Sequence, residues 1–228
     1  MKGYTEKAIE RQAALYRSSV FRSSVSNALG RARAEIENFM KPMLEAGCIP
    51  QAKSGMPPAS AVWADAAMIL VAHAGRQQRP ASVVRVTTRL CSLPHQLDVG
   101  RGRGQASPLD SLGMELAELL RRLGASESGV LATTRTPVQI MWSEGGTALF
   151  ATIDYAGGRK RIFSDMRLPA PLGGLAGNWD FVQLPTVGGT LLSAESLASF
   201  AGIFRTKTDP APSDPDESPT NSDPKVKP

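Results

Sequence analysis

Apolar residues recur at helical spacing through the first part of the chain, and the period shortens to alternation only after residue 137. Residues 5–21 carry Ala8, Ile9, Leu15, Val20 and Phe21 with charges between them, which predicts a helix. SSVSNALG, residues 23–30, supplies capping serines and a short turn of helix that ends at Gly30. Residues 32–46 place Ile36, Phe39, Met40, Met43 and Leu44 at i, i+3, i+4, i+7 and i+8, one apolar stripe. Pro42 lies inside that pattern and removes one amide hydrogen bond, so a kink or a displaced boundary is expected there. Gly47 suits the cap that follows. ASAVWADAAMILVAHAG, residues 59–75, is apolar all round and predicts a helix at the centre of the core. Another helix is expected over 80–93, opened by Pro80 and closed before Pro94.

LDVGRGRGQASP, residues 97–108, interrupts this run with glycines that alternate with arginines, and it reads as a linker over 97–107. Beyond it, residues 108–124 form an amphipathic pattern with Pro108 and Asp110 near the start and Gly124 at the end. PVQIMWS (137–143), TALFATIDY (147–155) and RKRIFSD (159–165) alternate and are joined by Glu-Gly-Gly and Ala-Gly-Gly, the signal of an antiparallel three-stranded meander. WDFVQLP (179–185) suits a further strand, and SAESLASFAGIF (193–204) a closing helix. Residues 206–228 are rich in Pro, Asp and Ser and too poor in apolar side chains to offset the entropy of ordering, so a disordered tail is expected. The fold class is therefore α+β: a helical domain over 1–96, and a smaller α+β domain over 108–205.

Charge changes this picture. The net charge of +5 divides into +8 over residues 1–104, −1 over 105–205 and −2 over 206–228. The basic excess thus belongs to the first half, which fits a polyanionic partner as well as a solubilising surface. No apolar run approaches the ~20 residues that a membrane span requires, so no membrane partner is expected. MKGYTEKAIERQ has no apolar signal-peptide core, and a cytoplasmic location is expected. Cys48 and Cys91 stand apart from any Cys/His cluster and read as reduced thiols rather than zinc ligands.

Candidate chemistry centres on EIENFMKPMLEAGCIPQAKSG, residues 35–55. A short helix over 24–30, a turn around Arg31–Arg33 and a longer helix over 33–46 make a candidate helix-turn-helix. A helix fits the major groove and reads base edges with its solvent face while its other face is held by the core. Arg31, Arg33, Asn38, Lys41 and Lys53 lie on or beside that solvent side. Arginine pairs with guanine, asparagine with adenine, and lysine most often holds phosphate. Ser23, Ser24 and Ser26 are candidate phosphate donors at a helix start. Glu35, Glu37 and Glu45 share the helix and repel phosphate, so a purely structural helix in a core stays equally open.

Two further basic elements join the set: Arg101 and Arg103 within GRGRG, and Arg159, Lys160 and Arg161 at an expected hairpin tip. Each also reads as a solvated loop. Two histidines, His73 on an apolar helix and His95 in an expected loop, offer neither a triad nor a metal site. GRGRG lacks the Gly-Lys-Ser/Thr ending of a phosphate-binding loop. No catalytic residue, metal or cofactor is expected, and the chain does not read as an enzyme.

Over residues 23–75 the layout loosely resembles the helix-turn-helix modules, some of them winged, of small regulators and packaging proteins of phages and mobile elements. SSVSNALGRARAEIENF, LEAGCIP with its basic Gly/Pro loop, and WADAAMILVAHAG carry that resemblance. It implies a regulator of transcription that binds double-stranded DNA, with a loop near Lys53 as the wing, acting as a homo-oligomer. The acids and Pro42 depart from the usual recognition helix. A non-enzymatic structural or adaptor protein, such as a packaging or assembly component, is the alternative.

Overall fold

The computed structural model describes residues 6–50, 58–75, 80–99, 110–125, 138–143, 149–155, 159–165 and 186–205. Lys53 and its loop, Arg101, Arg103, the strand expected at 179–185 and the tail lie outside them.

Among the described residues the fold is α+β, seven helices and one five-stranded antiparallel sheet. The helices are α1 Glu6–Arg17, α2 Ser19–Leu29, α3 Arg33–Glu45, α4 Pro58–Ala74, α5 Pro80–Cys91, α6 Leu112–Ala125 and α7 Ala194–Arg205. The strands are β1 His95–Val99, β2 Val138–Ser143, β3 Leu149–Tyr155, β4 Arg159–Ser164 and β5 Thr186–Leu192. No helix among the described residues is long and apolar enough to cross a membrane.

The single helix expected over 5–21 is two. Ser18 takes an extended conformation and its Oγ accepts from the Phe21 amide at 3.2 Å, so it caps the start of α2. The short helix expected at 23–30 is thereby lengthened to eleven residues. Ser24 and Ser26 sit inside α2 and donate to the carbonyls of Val20 and Arg31, so they do not stand at a helix start. Gly30 closes α2 in the left-handed region, with φ of 60°. Gly47 does the same beyond α3, where Cys48 N donates to Met43 O and Gly47 N to Leu44 O. Helix α3 runs through Pro42 without ending. Pro42 lies three residues from the last helical position, so one lost amide bond weighs little against burial of Ile36, Phe39, Met40 and Met43.

The sheet order is β1-β4-β3-β2-β5. The three strands expected as a separate meander occupy its middle, and β1 and β5 extend it to five. Residues 97–99, read as the start of a linker, end β1, which pairs with β4 through Asp98 opposite Arg161. His95, expected in a loop, begins that strand. One face of the sheet carries Val138, Ile140, Leu149, Ala151, Ile153, Phe163 and Leu192, all buried in the same apolar cluster as the helices. Helix α4 forms the centre, packing against α5, α6 and α7. Thr190 Oγ1 donates to Ala74 O at 3.0 Å and ties β5 to the end of α4. A buried polar link fastens α1 to the same helix: Tyr16 OH donates to Asp65 Oδ2 at 2.7 Å, and Gln12 Nε2 donates to Tyr16 OH. His73 is likewise buried on α4, its ring centroid 6.1 Å from that of Phe39.

Candidate functional site

Two polar regions stand out, an exposed one on α2 and α3 and an enclosed one where α6 meets the sheet. In the first, a three-residue link, Gly30 to Ala32, joins the helices. Ile36, Phe39, Met40 and Met43 anchor α3 to the core. Opposite them, Ala34, Asn38, Lys41 and Glu45 fall at i, i+4, i+7 and i+11, and all four are exposed. Arg31 and Arg33 flank the amino end, where Ala32 supplies no side-chain cap and the first amides lack that partner.

Acids temper this surface. Glu37 bonds Arg33 at 3.1 Å and approaches Arg22 at 3.5 Å. The Arg33 hydrogen bond is the main cause that holds the Glu37 carboxyl below its usual range. Lys41 lies 3.9 Å from Glu45, an exposed pair of small energetic weight. Arg31, Arg33, Asn38 and Lys41 are thus all exposed along this unit, whereas Arg22 is largely covered, its Nε donating to Tyr16 O and its Nη1 facing Glu37.

The basic strand lies elsewhere and its residues divide. Lys160 is half-buried and pairs with Asp154 at 3.4 Å. Arg159 stacks on the Tyr155 ring, 4.8 Å from its centroid. Arg161 departs from the expectation of a solvated hairpin cation. It is only 3% exposed, because strand alternation turns it towards α6 with Phe163. Its Nη1 donates to Glu115 Oε1, and its Nε lies 3.5 Å from Asp98 Oδ1. Tyr155 OH donates to the same Glu115 oxygen, and His95 Nε2 lies 3.0 Å from Asp98 Oδ1. Burial, followed by the Glu115 hydrogen bond and charge, raises the Tyr155 pKa and keeps the phenol protonated. Sequence reasoning named Arg161 and His95 but missed Glu115, Tyr155 and Asp98 as their partners, though Glu115 left a signal: an acid on the stripe formed by Leu112, Leu116, Leu119 and Leu123.

No protein-family model, curated protein or solved structure matches the chain. The chemistry of each region therefore rests on its residues alone. Cys91, half-buried on α5, has its thiol pushed up to about 12 by burial and by nearby Cys48, so it is a poor nucleophile near neutral pH.

On the surface of α6, Glu118 accepts from Arg121 Nε and Arg122 Nε, each at 2.7 Å. The Arg121 bond is the largest cause that lowers its pKa from 4.5 to about 2, with Arg122 adding to it. A depressed carboxylate stabilises the fold above its unfolded pKa, and that contribution is lost as pH falls from about 4.5 to about 2. Solvent screening limits the effect to about 1 kcal/mol at low salt. Glu118→Gln is expected to flatten the acid limb of stability by that amount. Urea unfolding at several pH values checks this, and an unchanged limb would refute it.

Proposed function

We propose that this chain is a double-stranded DNA-binding protein, a regulator that contacts DNA through the α2–turn–α3 unit. The observation that carries this reading is the division of α3 into an anchored face and an open one. Ile36, Phe39, Met40 and Met43 hold the helix, while Asn38 and Lys41 occupy the middle of the exposed stripe. Asparagine is suited to adenine and lysine to guanine or phosphate. Arg31 and Arg33 stand beside the uncapped amino end of α3, where amides and guanidinium groups together favour a phosphate. Lys53, Arg101 and Arg103 lie outside the described residues and stay candidates from the sequence; Arg159 and Lys160 are candidates only if their Tyr155 and Asp154 contacts open.

A second reading, a structural or adaptor protein, is favoured by a different observation. Val20 on α2 is 75% exposed and Met114 on α6 is 50% exposed, and the acids on α3 leave its charge mixed.

Fluorescence anisotropy with a labelled random duplex, titrated with salt, separates the two. The DNA reading expects affinity that falls steeply as salt rises, and Arg31→Glu with Arg33→Glu abolishing it. Asn38→Ala is expected to leave the salt slope unchanged while relaxing preference among duplex sequences. Absence of binding at low salt, where attraction is least screened, would remove the DNA reading.

A further inference from the structure

We propose that the acidic segment 209–217 of this chain docks along the outer side of α2, between Arg17 and Arg31, and shields that side from DNA. The contact stands by itself, and its regulatory consequence rests on the DNA reading.

The place where the described residues end points to the occupant. Helix α7 packs against α2, and the ring of Phe204, one residue before the end of α7, meets Phe21 edge-on at 5.7 Å. Phe21 in turn lies 5.0 Å from the ring of Tyr16, the neighbour of Arg17. The chain beyond Arg205 therefore sets out close to Arg17 and the start of α2. Arg17 and Arg31 flank the two ends of that helix, both are exposed, and neither side chain forms an ion pair among the described residues. Helix α2, SVFRSSVSNAL, contains no acidic residue, and the positive end of its dipole lies on the Arg17 side. On α3, by contrast, Arg33 and Lys41 already face Glu37 and Glu45, so α2 offers an acid the less contested surface.

The segment carries the complementary charge. Asp209, Asp214, Asp216 and Glu217 lie within twelve residues of Arg205, and no cation stands among them. Its reach is ample. Helix α2 rises only about 15 Å between Phe21 and Arg31, whereas twelve residues extend to about 40 Å. The tether holds the acids at a roughly millimolar effective concentration, so a few weak exposed ion pairs suffice for the contact. Prolines at 210, 212 and 215 reduce the chain freedom that docking costs. A duplex that approaches Arg31 must displace these acids, and salt weakens that competition.

Arg17→Gln in the full chain separates docking from overall charge. The substitution removes a cation outside the α2–turn–α3 contacts, so charge alone would weaken duplex binding. Docking predicts the opposite: the acids lose an anchor, and affinity for a labelled random duplex rises about threefold at low salt. Neutralising the segment by Asp209→Asn, Asp214→Asn, Asp216→Asn and Glu217→Gln together is expected to strengthen binding as well, and Arg17→Gln then no longer does. Nuclear magnetic resonance of the full chain reads the contact without DNA. The Nε–Hε signals of Arg17 and Arg31 are expected to move when the four acids are neutralised, and the difference to fade at high salt. Unmoved signals would overturn the docking. Duplex binding that Arg17→Gln weakens or leaves unchanged would overturn the shielding. Moved signals in a chain that binds no duplex would uphold the contact and remove the DNA reading alone.

Discussion

Replacing Glu115 by leucine is expected to cost about 3–5 kcal/mol of stability, the range for removing one partner of a buried ion pair. Arg161, only 3% exposed, then loses the Glu115 carboxylate that its Nη1 bonds, while the more exposed Asp98 stays 3.5 Å from its Nε. Tyr155 loses its acceptor in the same step. The attraction in the native pair is large, but so is the cost of drying both charges, so their net worth is much smaller than the cost of breaking them apart. The double variant Glu115→Leu with Arg161→Met is accordingly expected to recover most of the loss. Urea unfolding reads both variants through the midpoint at constant slope. A single-variant loss below about 1 kcal/mol would mean that the pair behaves like one in solvent.

The second large effect comes from adding a single methyl group. Gly124→Ala would place a Cβ 2.4 Å from Trp63 Cη2 and 3.0 Å from Cζ2. In an open helix this substitution stabilises by up to about 1 kcal/mol, because alanine loses less backbone freedom than glycine. Here Trp63 is buried, with Phe204 behind it at a centroid distance of 6.3 Å, so the indole has little room to retreat. Overpacking of this kind costs about 1–3 kcal/mol, and the clash makes the upper end apply. The net sign is destabilising by about 2 kcal/mol. Trp63→Phe should soften the Gly124→Ala penalty, and a double-mutant cycle measures that coupling. Additive effects would show that the ring and the glycine do not meet.

These two sites differ in how far the sequence announces them. Gly124 reads as a helix terminator, and nothing local reveals that an indole from α4 presses on it. The Glu115–Arg161 pair spans 46 residues, and only the acid on a leucine stripe hints at it. Local patterns fared better. The stripe on α3 is legible because one helical period carries all its buried residues. Strands β2, β3 and β4 lie where the alternation of apolar residues places them. Strand β1 is hidden because HQLDV is half polar and runs into Gly-Arg repeats, and β5 because two interior glycines weaken any strand pattern. The break at Ser18 is hidden because Leu15, Val20 and Phe21 continue a helical rhythm across it. Among the candidate DNA-contacting residues, the cluster on α2 and α3 is legible as a local unit. Arg161 is not, because strand register rather than sequence position decides which way it points.

The placement of α4 and β1 bears on how the chain emerges during synthesis. Every α4 residue from Val62 to Ala74 except Ala64 is buried, yet α6 and α7, which cover it, are translated much later. Strand β1 likewise has no ladder partner until β4 is made, some sixty residues on. A ribosome-bound chain ending near residue 99 therefore presents an apolar helix and a lone strand to the cell, and its core closes only when the last helix is released.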